Sequence, residues 1–202
     1  MQAAQQLFAD RGFHGVSIRD IAREANVSLA RVGYYFGPKL DLYHAVFREH
    51  QSYIQTRLHN LALAQLRAPP GHLLEEIVKA VVLPALELAK SQDGRAFLRL
   101  VARGMSEQIE EHTQISKELF DPLALAFIEA LARARPHANK EVLVWCYQFA
   151  LGSLIYHVTD ERVLRLAPGI EQSPTVKAGE VLVNFIARGI EGACSASEPA
   201  RR

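Results

Sequence analysis

Several polar side chains of this sequence stand at spacings that could do chemistry. Glu107, Glu110, Glu111 and His112 are all metal-ligating types. Helical spacing does not converge the four on one point, so they read as surface and no metal site is expected. Arg95, Arg99 and Arg103 recur at i, i+4 and i+8. Such a stripe could meet an acidic ligand, but a solvated helix face with Glu107 paired to Arg103 is the simpler reading. His157, beside Tyr156, suits a pocket wall, and equally a core or interface position. Cys146 and Cys194 form neither a metal spacing nor a disulfide framework. Cys146 lies in the apolar run Leu143-Val144-Trp145-Cys146 and reads as a small core residue. No Ser/His/Asp arrangement, nucleophile elbow, phosphate loop or Cys/His metal set occurs. An enzyme is not expected, and no cofactor is implied.

Residues 17–36 carry a more specific pattern. Two helices crossing steeply over a three-residue turn need a small residue where the second approaches the first, and Ala22 is there. They need a turn residue tolerant of positive φ, and Asn26 follows four positions later. Ile18, Ile21, Val27 and Val32 supply the buried aliphatics. Ser17-Ile-Arg-Asp20 is a capping box opening the first helix, in a weaker version with Asp for Glu, and Ser28 suits the N-cap of the second. This is helix-turn-helix spacing, in which the second helix turns its outer face to the major groove.

The same stretch resembles the TetR-family regulators. The resemblance is carried by Leu7-Phe8, Gly12-Phe13, Val16-Ser17-Ile18, Ile21-Ala22, Ala25-Asn26-Val27-Ser28, Tyr34-Tyr35-Phe36-Gly37-Pro38-Lys39-Leu40 and Leu42. It implies roles residue by residue. Ser17 and Arg19 stand where the family touches DNA from the start of its second helix. Leu29, Ala30, Arg31 and Gly33 occupy groove-facing positions of the recognition helix. Tyr34, Tyr35 and Lys39 stand where the family holds backbone phosphates. That division is physically sound, since arginine reads guanine bidentately while hydroxyls and ammonium groups position the backbone. The departures are Asn26 for the usual Gly, Gly33 for a larger residue and Tyr35 for the frequent His. The family also carries ten or more residues, often basic, before this point. Here the first helix starts almost at Met1, so either such an arm is absent or the numbered chain starts late.

Beyond the motif the chain reads as helical throughout, with no convincing period-two alternation. Helices are expected over 39–66, 72–91 (kinked at Pro84), 94–106, 113–134, 138–160 and 174–193. A surface loop is expected over 161–173. The domains follow as 1–44 for DNA binding, 45–194 for ligand binding and dimerisation, and 195–202 as a frayed tail. The fold class is all-α: an N-terminal three-helix domain joined by a long fourth helix to a larger helical domain. With 49% hydrophobic residues, a chain of 202 residues can build its core without staples. The formal net charge of +1 does not announce a nucleic-acid binder, so any such case rests on where cations sit. No signal peptide is present and no apolar run approaches the roughly 20 residues that span a bilayer, so the protein is expected to be cytoplasmic.

Trp145, Phe149, Gly152 and Tyr156 fall on one helical stripe; Leu182, Phe185, Ile186, Gly189 and Ile190 form another. Family resemblance implies a homodimer built from these last two helices, with Gly152, Tyr156, Leu182, Phe185, Ile186 and Gly189 at the interface. For the Trp145 stripe, periodicity alone fits an intrachain core equally well. Leu98, Met105, Phe120, Phe127, Trp145 and Phe149 are candidate walls of a ligand pocket, though each also suits plain core. The expected function is a ligand-responsive transcriptional regulator, a repressor that binds a palindromic operator as a dimer and is released by a small, largely apolar effector. The alternative is a helical binding or scaffold protein that no longer docks DNA.

Overall fold

In a computed structural model of the chain, residues 1–170 and 177–196 are described. The described residues form helices and no strand. In order these are α1 (Gln2–Arg11), α2 (Ile18–Glu24), α3 (Leu29–Phe36), α4 (Lys39–Glu49), α5 (Gln51–Arg67) and α6 (Leu73–Leu88). There follow α7 (Gln92–Glu107), α8 (Glu110–Leu119), α9 (Asp121–Ala134), α10 (Lys140–Thr159), α11 (Arg162–Leu166) and α12 (Ala178–Ala196). The all-helical class and the N-terminal helix-turn-helix stand as the periodicity predicts.

Several boundaries differ, each for a physical reason. The single helix expected over 39–66 is two, parted at His50, whose ψ is 16°. The His50 ring stacks on Phe97 at 3.9 Å and its Nε2 lies 2.7 Å from Gln5 Oε1. These long-range contacts leave no trace in local periodicity. The helix expected over 113–134 is also two, α8 and α9. Pro122 has no N–H, and its ring would collide with the Glu118 carbonyl in a continuous helix. A new helix therefore opens at Asp121 and carries the proline in its first turn. The expected loop after α10 contains α11. Residues 171–176, with the expected start of the last helix, lie outside the described residues. Ser195 and Ala196, assigned to a frayed tail, belong to α12, and the rest of that tail also lies outside them. Contrary to expectation, one helix, α10, is long and apolar enough to cross a membrane by length and composition; only 17% of its apolar window is buried.

The chain divides into two compact units. The first joins Met1–Ile54 with Leu88–Phe120, and the second joins Gln55–Glu87 with the described residues from Asp121 onward. In the first, α1 against α7 is the most extensive pairing. Phe8, Tyr43, Phe47 and Phe97 are fully buried. Their rings meet edge to face, Phe8 on Tyr43 at 5.2 Å, Tyr43 on Phe47 at 5.1 Å and Phe47 on Phe97 at 5.8 Å. Polar ties fix the register. Gln5 Nε2 donates to the backbone and side-chain oxygens of Asp93 at 2.9 and 2.8 Å. Arg103 donates from Nε to Ala9 O at 2.9 Å and from Nη2 to Asp10 O at 3.1 Å, answering carbonyls that the end of α1 leaves open.

Burial is the leading cause that pushes the pKa of His50 and of His112 below 6.5. Both rings therefore take up a proton more readily in the unfolded chain. Their contribution to stability is complete above the unfolded pKa and is lost as pH falls from there toward the folded value. The melting temperature is expected to drop as pH falls below about 6.5, and His50→Gln to remove part of that drop. A His50→Gln profile parallel to the parent's over this window would refute the assignment.

In the second unit α10 packs against α9 and α12. Leu143, Cys146 and Leu154 of α10 and Val183, Ile186, Ile190 and Cys194 of α12 are buried. The Cys146 and Cys194 thiols are neighbours, and burial pushes Cys146 up to about 11, as suits a core thiol.

Candidate nucleic-acid interface

The local chemistry of residues 17–36 fixes two short helices at a sharp angle. The Asp20 amide donates to Ser17 Oγ at 3.2 Å, and the Ser17 amide donates to Asp20 Oδ2 at 3.1 Å, closing the capping box. The Ser17 hydroxyl also donates to that carboxylate at 2.6 Å. These bonds, with Arg23 nearby, hold the Asp20 carboxyl below its ordinary pKa. The turn passes through Asn26 at φ 52°, and the Val27 amide returns to Ala22 O at 2.9 Å. Asn takes this left-handed backbone more readily than most residues, because its short amide bonds locally. Ser28 then caps α3, accepting from the Arg31 amide at 3.3 Å.

One residue of α3, Val32, is buried. Ile21 and Ala22 are the buried residues of α2. Everything else on α3 except the half-buried Phe36 faces outward: Leu29, Ala30, Arg31, Gly33, Tyr34 and Tyr35 are all exposed, Tyr34 by 84%. Tyr34 and Tyr35 meet edge to face at 5.2 Å, with the Arg31 guanidinium 6.0 Å from the Tyr35 ring centre. Arg19 and Ser17 are exposed as well. A Cβ at Gly33 would meet no atom within 4 Å, so packing within the chain does not require glycine there.

Lys39 has work within the chain. Its Nζ donates to Phe13 O at 3.0 Å and Val16 O at 3.1 Å, and it lies 4.1 Å from the Phe13 ring centre. The ammonium thus pins the turn between α1 and α2 to the start of α4. An ammonium has three donors, so one remains for an outside acceptor.

Sequence reasoning missed two features nearby. His112, read as surface, is buried: its Nδ1 lies 3.2 Å from Tyr43 Oη and its ring packs on Phe47 at 5.4 Å. The arginine stripe is more than a solvated face. Arg103 pairs with Glu107 at 2.7 Å as expected, and also ties down the end of α1. Neither has a local signal, because each depends on a partner more than sixty residues away.

The expected pocket residues are divided between the two units. Leu98, Met105 and Phe120 belong to the first unit, where Leu98 is buried, Met105 is 37% exposed and Phe120 packs on Phe47 at 6.2 Å. In the second unit Phe127 is buried, but Trp145 and Phe149 stack on each other at 5.9 Å on the exposed side of α10. Trp145 and Phe149 are therefore corrected from pocket wall to outer face: the buried stripe of α10 runs through Leu143, Cys146 and Leu154. Of the six expected interface residues, Gly152, Tyr156, Phe185 and Gly189 are exposed, Leu182 is half-buried and Ile186 is turned into the chain's own core. His157 is exposed.

A capped helix pair with one helix held by a single buried residue and otherwise open to solvent defines a helix-turn-helix DNA-binding protein. The family model described as "Bacterial regulatory proteins, tetR family" matches residues 1–46, and that described as "Tetracyclin repressor-like, C-terminal domain" matches residues 79–189. The chain belongs to the TetR family of transcriptional regulators, which are DNA-binding proteins and not enzymes. A curated relative, the "Probable HTH-type transcriptional regulator YttP" of Bacillus subtilis (strain 168), is 39% identical over 57 residues, which is 28% of this chain and 28% of that protein. Among solved structures, the TetR-family regulator PfmR of Thermus thermophilus has a TM-score of 0.61 at 16% identity, covering 100% of this chain and 98% of that one. GusR of Salmonella enterica also has a TM-score of 0.61 at 16% identity, covering 96% and 92%. These two likenesses are of fold.

Proposed function

We propose that the protein is a ligand-responsive repressor that binds a palindromic operator as a homodimer and leaves it when a small effector binds. The observation that carries this reading is the outward face of α3, on which Leu29, Ala30, Arg31, Gly33, Tyr34 and Tyr35 are all exposed. On this reading Leu29, Ala30, Arg31 and Gly33 enter a groove, while Tyr34, Tyr35 and Lys39, the last at the start of α4, hold the DNA backbone. A second copy supplies the other half-site. Trp145, Phe149 and Tyr156 on α10 and Phe185 on α12 are each more than half exposed, an apolar surface that invites cover. Gly152 and Gly189 have open space where a Cβ would stand, which permits close approach of a second helix. Ligand acts by favouring a subunit arrangement whose two α3 helices no longer match successive major grooves. Such a protein works where operator DNA is, in the cytoplasm.

The test is binding to the intergenic DNA beside its own gene, with the particle mass measured in the same buffer. A dimer protecting a palindrome, more weakly at higher salt, supports the reading; a protein that ignores this DNA at low salt sinks it. Within that assay Lys39→Ala is expected to flatten the salt slope by about one unit and to weaken all sequences alike. Its melting temperature should fall too, because the two carbonyl contacts are lost. A parental slope with a lowered melting temperature would assign Lys39 to the turn alone.

A further inference from the structure

We infer that Arg11 is a DNA-backbone contact, its guanidinium gripping a phosphate beside Ser17. The inference rests on the operator-binding reading above and extends that interface to the end of α1. It starts from where the positive charge of the first fifty residues sits. These residues hold six arginines and lysines: Arg11, Arg19, Arg23, Arg31, Lys39 and Arg48. Three of them are engaged within the chain. Arg23 Nη2 donates to Asp20 Oδ1 at 2.8 Å, and Arg48 donates from Nε and Nη2 to the Glu118 carboxylate at 3.2 and 3.0 Å. Lys39 spends two donors on the Phe13 and Val16 carbonyls. Arg11, Arg19 and Arg31 are exposed, and among the described residues no hydrogen bond or ion pair takes up their guanidinium groups. Arg19 and Arg31 stand at positions already read as DNA contacts; Arg11 does not.

Local geometry brings Arg11 to the side of Ser17. α1 ends at Gly12 with φ 74°, and the chain folds straight back, the Val16 amide donating to Phe13 O at 3.4 Å. The turn runs so close that a Cβ at Gly15 would strike the Arg11 carbonyl and stand 3.4 Å from Arg11 Cβ. Ser17 follows two residues later and caps α2. Asp10 is turned to α7, where its carbonyl accepts from Arg103 Nη2 at 3.1 Å and its carboxylate lies 3.8 Å from Arg99. Arg11, about 100° further round the helix, acts on α2 instead. Its charge adds to the Ser17 hydrogen bonds that hold the Asp20 carboxyl below its ordinary pKa. That carboxylate already accepts from the Ser17 amide and hydroxyl and from Arg23, so Arg11 acts on it through space and keeps its own donors.

A phosphodiester carries one negative charge and two free oxygens, which match one guanidinium fork. Phosphates carry no sequence information, so Arg11 supplies grip and salt dependence and leaves base choice to α3. The competing role is structural, since a cation in the last turn of a helix favours its own helix end. That role would touch stability and leave the salt dependence of DNA binding alone.

The test uses the full chain and the intergenic duplex beside its own gene, titrated from low to high salt. Arg11→Ala is expected to weaken this duplex roughly 5- to 20-fold, to weaken unrelated duplexes alike and to flatten the salt slope by about one unit. Its melting temperature should stay within about 2 °C of the parent's, because no hydrogen bond is lost. Arg11→Lys keeps the charge and should restore most of the slope. Arg67→Ala is the matched control: Arg67 is also an exposed arginine in the last turn of its helix, α5, and its loss should leave the slope unchanged. A neutral methylphosphonate at the contacted phosphate should weaken the parent and cost Arg11→Ala nothing further. A parental slope in Arg11→Ala, an equal flattening by Arg67→Ala, or a loss confined to one base pair would overturn the proposal. A parent that binds the duplex with a slope Arg11→Ala does not change removes only this contact. A parent that ignores the duplex at low salt removes the operator reading, and Arg11 with it.

Discussion

Gly104→Ala is expected to lower stability by about 3 kcal/mol, seen as a melting temperature roughly 6–12 °C below the parent's. An added Cβ at 104 would stand 2.1 Å from His112 Nδ1 and 2.3 Å from its Cε1. The ring has nowhere to go. It is 4% exposed, meets Tyr43 Oη at 3.2 Å and packs against Phe47 at 5.4 Å. Relief must then come from separating α7 and α8, which pack directly on one another. The check is a double-mutant cycle with His112→Ala, which deletes the atoms the new methyl strikes. The two changes together should cost at least about 1 kcal/mol less than the sum of the singles. Additive costs would show that the close approach at Gly104 is not what the alanine disturbs.

Val32→Asp is expected to abolish useful DNA binding, by more than about 100-fold, while most helical signal remains. An eight-residue helix is too short to persist on its own, so α3 depends on its docking. Val32, at 4% exposure, is its single buried side chain. A carboxylate there must either stay buried at a cost of several kcal/mol or pull the helix off α2 and α4. Val32→Ile keeps the apolar contact and serves as control. Gel shift and circular dichroism on both variants check it; an Asp variant binding within about tenfold of the parent would mean that α3 is held by more than Val32.

The helix-turn-helix was legible because its determinants are local. The Ser17–Asp20 box, the positive φ of Asn26, the small Ala22 and the Ser28 cap each act over a few residues, and each stands in the structure where its spacing puts it. Pro122 could have been read as a helix break from the same rules, since its missing N–H is a local fact. The family was legible from those residues as well, and the match over 79–189 extends it into the part where periodicity showed only helix.

What periodicity could not decide is which side of an apolar helix turns inward. On α10 the stripe of Leu143, Cys146 and Leu154 is buried while that of Trp145, Phe149 and Tyr156 faces out, and both are apolar. An amphipathic helix declares its face by contrast, and α10, apolar on both sides, has little contrast to declare. The same limit hid the burial of Arg57 on α5, because a charged residue on a helix is ordinarily solvated and only its neighbours from α6, α9, α10 and α12 enclose it. The break at His50, the burial of His112 against Gly104 and the tie from Arg103 to the end of α1 likewise arise between residues far apart in the chain. Caps, turns and helical class are set by interactions a few residues long and can be read along the chain. Burial of charge, the exposed face of α10 and the union of α1 with α7 depend on which distant surfaces meet, and only the folded arrangement decides that.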